Sequence, residues 1–294
     1  MKVLVTGSEG FVGREVVCEL KNKGHTPKGF DIATGQNLLN KDHIKKALKG
    51  VDGVIHLGAI LENDNPSLWE VNVDGTKNLI CEAVKAKVKS FIFLSSTGVY
   101  GFTKGRVSEK TDTYPQNLYE KSKIKAEQIV LKHQEEIEVK VLRSAMVFGP
   151  NKYWGRMIKV LGKGLPLPSK AKNTFQIIYV KELARALLLL LKKGDSGEIY
   201  LVSGKEKYSL KTFCGELKEV LGLPPKIKTL SPKWALILGK IFRIKIITKD
   251  NIRHLSKERN YNTEKIEKIG YKQRYTLKEA MVETVEEIKQ MNLD

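Results

Sequence analysis

The chain is short of cysteine. Cys18, Cys81 and Cys214 are its three, odd in number and far apart. They form no metal-type pair, so neither a disulfide framework nor a zinc site is expected; they read as packing residues in a reducing cytoplasm. The five histidines lack ligand spacing; His56, at a strand end, reads as core or cofactor-adjacent. No uncharged apolar stretch approaches the ~20 residues that span a bilayer. No signal peptide precedes the first apolar run, so a cytoplasmic protein whose mature fold starts at Met1 is expected. Repeats and low-complexity tracts are missing, and 41% apolar residues suit a packed core. Acidic residues are scarce beside basic ones, 33 against 52, for a net charge of +19. A field of that sign attracts anions. The lysines are nevertheless spread over most helices, and no nucleic-acid motif appears, so a solvated lysine-rich surface is expected and no specific nucleic-acid partner. Between Ser231 and Ile247, apolar residues such as Trp234, Leu236 and Phe242 alternate with Lys233, Lys240, Arg243 and Lys245. This stretch reads as helix and strand packed on a substrate lobe; peripheral membrane contact or the rim of an apolar pocket are its other readings.

What the sequence does have begins at its N-terminus. Lys2 to Thr6 is a short β-branched run, Gly7, Gly10 and Gly13 follow at once, and a helical pattern runs from Phe11 to Lys23. Strand, glycine turn and helix is the context a dinucleotide fingerprint requires, although the spacing is Gly-x-x-Gly-x-x-Gly. The first glycine permits a tight turn, the second lets backbone approach a pyrophosphate, and the third lets helix pack on strand. The helix N-terminus then faces the phosphates. The second strand, Thr26 to Phe30, runs into Asp31. A carboxylate there would bond the adenosine ribose diol and repel a 2′-phosphate, and Ile32 and Ala33 offer that phosphate no cation. NAD is expected over NADP.

Tyr119 and Lys123 stand four apart, on one face of a helix. A phenol with pKa near 10 is a poor base, and lowering it by ~3 units needs about 4 kcal/mol of differential stabilisation. An ammonium one turn away is a source of that. A serine hydroxyl from Ser95-Ser96, at an upstream strand end, would polarise the same substrate oxygen.

In family order, these motifs resemble the extended short-chain dehydrogenase/reductases, the NAD-dependent epimerase/dehydratase family, over nearly the whole chain. The resemblance implies an α/β fold, a Rossmann-type doubly wound parallel sheet with a smaller, mostly helical C-terminal substrate lobe. It places Gly7, Gly10, Phe11, Val12 and Gly13 along the cofactor, with Asp31, Asn37 and Leu38 about the adenosine; Asn37 stands where an acidic residue is usual. Leu57, Gly58 and Ala59 follow His56 along phosphates and ribose, and Asn72, in a helix motif of the family, is expected among the cofactor-binding residues. Phe91 to Gly101 looks like the fourth strand and active-site turn, with Ser95 beside the cofactor and Ser96 as the catalytic hydroxyl. Tyr119 and Lys123 complete the trio and also touch the cofactor, while Val147 lies by the nicotinamide. A homodimer built on helices around Leu68–Ala86 and Tyr119–His133 is implied as well.

The shared chemistry is hydride transfer at a secondary alcohol or ketone, with a small-molecule substrate. Dehydratases usually carry Asp-Glu after the catalytic hydroxyl; Thr97-Gly98 stands here, which argues against elimination. Epimerases commonly hold a nucleotide diphosphate with an arginine before the Phe-x-Tyr-Val strand, and Asn173 to Ile178 has none. Arg143, Arg156 and Arg253 are candidates to replace it. An NAD-dependent oxidoreductase is the leading reading, a nucleotide-sugar 4-epimerase of the UDP-glucose type the second, and a non-catalytic NAD-binding sensor the third. Strand–helix alternation to about Arg143 implies a parallel sheet covered on both faces. The expected division is a dinucleotide domain over 1–143, rejoined by about 181–203, and a substrate lobe over 144–180 and 204–294.

Overall fold

The structure, a computed structural model, describes residues 1–103, 105–164, 166–168, 174–231, 233, 236 and 258–291. Six strands make one parallel sheet: β1 (Lys2–Thr6), β2 (Thr26–Phe30), β3 (Gly53–His56), β4 (Ser90–Ser96), β5 (Glu138–Ser144) and β6 (Glu198–Val202), in the order β6-β5-β4-β3-β1-β2. The principal helices are α1 (Phe11–Asn22), α2 (Lys41–Leu48), α3 (Thr76–Lys85), α4 (Leu118–Leu131), α5 (Lys152–Gly162), α6 (Val180–Lys192), α7 (Leu210–Val220), α8 (Glu264–Lys268) and α9 (Leu277–Gln290). Successive strand residues point to opposite faces. Val3 and Val5 therefore enter the core shared with α1 and α6, whereas Leu4 enters the one shared with α2, α3 and α4. All three are fully buried, which is why β1 is apolar at three successive positions rather than alternating. The chain leaves β1 for β2 on one side and returns to β3 on the other. A ligand crevice opens at such a reversal, at the carboxyl ends of the strands.

A third core gathers Phe148, Trp154, Phe213 and Met281 from the segments that flank the sheet. The Phe148 and Trp154 rings meet edge to face with centroids 4.9 Å apart. The segment from Ser144 to Val180, expected to belong to the substrate lobe, contains α5. Its helix is specified locally: Asn151 accepts a hydrogen bond from the Trp154 N–H at 3.0 Å as N-cap, and Trp154, Met157, Ile158 and Leu161 form one buried stripe. Helix Leu68–Ala86 is also modified, since Glu70–Gly75 forms a π-helical turn before α3. The strand Asn260–Tyr261 returns to pair with Arg106–Val107 beside the main sheet. Most of Ser231 to Ile247 lies outside the described residues. Among those described, no helix is long and apolar enough to cross a membrane.

Candidate active site

A cavity of about 890 Å³ opens at the carboxyl ends of β1, β3 and β4. The turn after β1 forms its floor. Gly7 has φ +70°, and a Cβ there would come within 3.0 Å of the Gly58 backbone; a Cβ on Gly13 would strike the Gly7 carbonyl. The two turns and α1 thus touch backbone to backbone, which only glycine allows. The N-terminus of α1 carries no side-chain cap and no acidic residue in its first turn, so its N–H groups are those of an anion site. At the end of β2, Asp31 accepts hydrogen bonds from the Glu9 and Ala33 N–H groups, both at 2.9 Å. Asn37, Leu38, Leu57, Gly58, Ala59, Ser95 and Val147 line the same cavity.

Asn72 is the exception. It is buried behind the wall, where it bonds Ile60 through both its N–H (2.9 Å) and its carbonyl (2.8 Å) and donates to Ser122 at 3.0 Å. The π-helical turn aims it inward, so it braces the Leu57–Ile60 segment against α4 instead of lining the cavity. His56 is likewise structural. Thr76 donates to the Asn72 carbonyl (2.6 Å), so its oxygen accepts from His56 Nε2–H (2.9 Å), and His56 Nδ1 accepts from the Thr6 hydroxyl (2.6 Å). Thr6 Oγ1 in turn accepts from the Leu57 and Gly58 N–H groups, each at 3.1 Å. Burial, helped by the charge of Lys123, lowers the His56 pKa to about 3. The ring is a neutral strut.

Ser96, Tyr119 and Lys123 all line this cavity. Ser96 ends β4, and its hydroxyl accepts from the Gly98 N–H at 3.0 Å. Asn117 caps α4 by accepting from Glu120 N–H (2.8 Å), and Asn63 accepts from Tyr119 N–H (2.9 Å), which fixes the phenol at the first turn. Lys123 Nζ donates to the Leu94 carbonyl (2.9 Å), 4.8 Å above the Phe93 ring and 5.8 Å from the Tyr119 ring centroid. Burial pulls Lys123 down to about 8 against the pull of Glu127. Burial also pushes Tyr119 above the ordinary phenol range, and the Glu120 carboxylate adds to the rise. Lys123 by itself therefore does not bring the phenol toward neutrality as expected; desolvation outweighs one ammonium that is committed to a carbonyl.

The arginine candidates fall away. Arg143 is buried in a two-pronged pair with Glu127 (3.0 and 2.7 Å) and bonds the Tyr100 hydroxyl at 2.9 Å. Arg156 is exposed on α5 and does not line the cavity. Arg253 lies outside the described residues. The wall instead carries Arg259, with Ile60, Leu61, Met146, Tyr153 and Trp154. Arg259 donates to Tyr261 (3.0 Å), whose hydroxyl donates to Thr97 at 2.9 Å, next to Ser96. No local pattern marks Arg259; the hydrogen bond of its N–H to the Thr174 carbonyl (2.9 Å) and the pairing of the adjoining Asn260–Tyr261 with Arg106–Val107 bring it here.

The model of the NAD dependent epimerase/dehydratase family matches residues 3–203. The chain belongs to this family. It is an NAD-dependent enzyme. Sterol-4-alpha-carboxylate 3-dehydrogenase, decarboxylating, of Dictyostelium discoideum is 27% identical to it over 96% of this chain and 99% of its own length. The N-acetyl-alpha-D-glucosaminyl-diphospho-ditrans,octacis-undecaprenol 4-epimerase of Escherichia coli O157:H7 is 25% identical over 97% and 94%. Among solved structures, the UDP-glucose 4-epimerase of Thermotoga maritima with UDP-glucose superposes with a TM-score of 0.83 at 22% identity, covering 100% of both chains. The dTDP-glucose 4,6-dehydratase of Streptomyces venezuelae with NAD bound gives 0.82 at 21%, over 99% and 97%. Those two likenesses are of fold.

Proposed function

We propose that this family member is a net oxidoreductase that exchanges a hydride with a secondary alcohol or ketone. The supporting observation is that Ser96, Tyr119 and Lys123 share one cavity with the glycine turn and Asp31. NAD fits this wall by the Cβ-free approach of Gly7 and Gly13 and by the Asp31 carboxylate. When bound it supplies the hydride acceptor and, oxidised, a positive charge. Tyr119 takes the hydroxyl proton, Ser96 polarises the same oxygen, and Lys123 holds the ammonium that favours phenolate once a further cation joins it. In the reducing direction the phenol, held protonated by burial, is the proton donor. Residues 144–180 and 204–294 act as the substrate lobe, and the apolar wall of Ile60, Leu61, Met146, Tyr153 and Trp154 suits a substrate with an apolar body. Thr97-Gly98 supplies no acid–base pair for elimination.

Arg259 favours a second reading, a nucleotide-sugar 4-epimerase, because a guanidinium on the wall is a partner for a diphosphate. The two are separated by adding NAD and a panel of secondary alcohols to the purified protein. NADH should accumulate in solution. Dinucleotide retained through purification, with UDP-glucose and UDP-galactose interconverted and no free NADH, would replace the first reading with the second.

The assembly proposed is a homodimer on α3 and α4. These helices expose Lys77, Lys85, Lys121 and Lys125, so a two-fold contact sets like charges together. The dimer therefore forms only where salt screens them.

A further inference from the structure

Helix α5 differs from the other helices in its charge. Of α1 to α9, it alone contains no aspartate or glutamate. Lys152, Arg156 and Lys159, with Lys163 as the C-cap, recur at i, i+4, i+7 and i+11. That spacing gathers them on one side of the helix, and all four are exposed. At 1.5 Å per residue the row is ~16 Å long. Among the described residues no carboxylate pairs with Lys152, Arg156 or Lys163. Elsewhere acids interrupt the lysines, as Asp42 does beside Lys45 and Glu82 beside Lys85.

The row runs from the cavity outward. The first turn of α5 gives Tyr153 and Trp154 to the cavity wall, and Leu61 on that wall is 61% exposed. The inner face of α5, with Met157, Ile158 and Leu161, is spent in the third core. No apolar stripe is left to enter lipid, so whatever the outer face binds it binds by charge. Helix α5 packs against α7, and a dimer on α3 and α4 leaves its outer face uncovered. A straight row of cations matches a flat anionic surface, and the chain carries no motif that enters a nucleic-acid groove.

We propose that the outer face of α5 docks this protein on an anionic lipid membrane, with the mouth of the cavity beside the bilayer. A polybasic row is drawn to the negative potential of such a surface, and the attraction fades within a Debye length, about 10 Å at 0.1 M salt. The contact is independent of the reaction; that the bilayer supplies substrate to the cavity rests on the apolar-bodied substrate of the proposed function.

The test is sedimentation of the full chain with vesicles, either phosphatidylcholine alone or with about 30% phosphatidylserine, in about 0.1 M salt. Binding should require phosphatidylserine and weaken as salt rises. Lys152→Gln with Arg156→Gln and Lys163→Gln should weaken it about fivefold per cation, roughly a hundredfold together. Lys45→Gln with Lys46→Gln and Lys49→Gln on α2 removes the same charge elsewhere and should weaken it less than about threefold. None of these six residues lines the cavity, so calorimetric NAD titration should be unchanged in both variants and shows that each is folded. Equal losses in the two variants would mean diffuse attraction and overturn the proposal. So would failure to bind the anionic vesicles together with α5-dependent binding of a DNA duplex of about 20 base pairs, which would assign the row to nucleic acid.

Discussion

Mild acid should destabilise this protein through His56. The ring is buried between Thr6 and Thr76, and protonation would place a second donor where Nδ1 accepts from the Thr6 hydroxyl. Its pKa is lowered to about 3, while the unfolded ring keeps its ordinary 6.5. Between those values the unfolded chain binds more protons, so the contribution is complete above pH 6.5 and is lost as pH falls toward 3. At about 1.4 kcal/mol per pKa unit, going from pH 7 to pH 5 removes about 2 kcal/mol, a large part of a typical 5–15 kcal/mol. Burial raises Glu15 and Glu216, and their contributions run the other way, strengthening in acid. Urea unfolding of the wild type and of His56→Gln at pH 5, 6 and 7 separates the two, because only the difference between the proteins belongs to His56. Carbon NMR of the ring in the folded wild type is the independent check. Parallel stability–pH curves for the two proteins, or a His56 ring that titrates above about pH 5, would refute the reasoning.

Tyr119→Phe should lower turnover by about 10²–10⁴-fold with NAD still bound, whereas Lys123→Met should weaken the cofactor as well; calorimetric NAD titration beside rate assays distinguishes them, and more than about a tenth of wild-type turnover in Tyr119→Phe would remove the phenol from the mechanism. Asp31→Ala combined with Ile32→Arg should move preference from NAD toward NADP, read by titrating both cofactors, and tighter NADP binding to the wild type would contradict the role given to Asp31. Sedimentation at micromolar protein should show monomer in about 50 mM salt and dimer in about 500 mM; a dimer that weakens with salt would mean that the lysine faces are not its interface.

The dinucleotide half was legible because its signals are local. A β-branched run, three glycines and an amphipathic helix that stops before Gly24 specify β1, the turn and α1 within residues 2–24, and the turn needs glycine whatever else the chain does. Tyr119 and Lys123 were legible for the same reason, since a four-residue spacing fixes a shared helix face. Helix α5 also carried a local signal, its Asn151 cap and buried stripe, which the turn residues around it obscured. What the sequence could not carry was the environment of those groups. Whether Asn72 faces the cofactor or braces Ile60 depends on a π-helical turn, and whether Lys123 lowers the Tyr119 pKa depends on how dry the wall is and on the Leu94 carbonyl that claims the ammonium. Arg259, Tyr153 and Trp154 reach the cavity through contacts made far along the chain. Residue identity and spacing determined the fold class and the cofactor by themselves, because hydrogen bonding and sterics within a few residues decide them. Charge state and the make-up of the cavity wall were decided only by tertiary structure, because desolvation and through-space proximity are properties of packing.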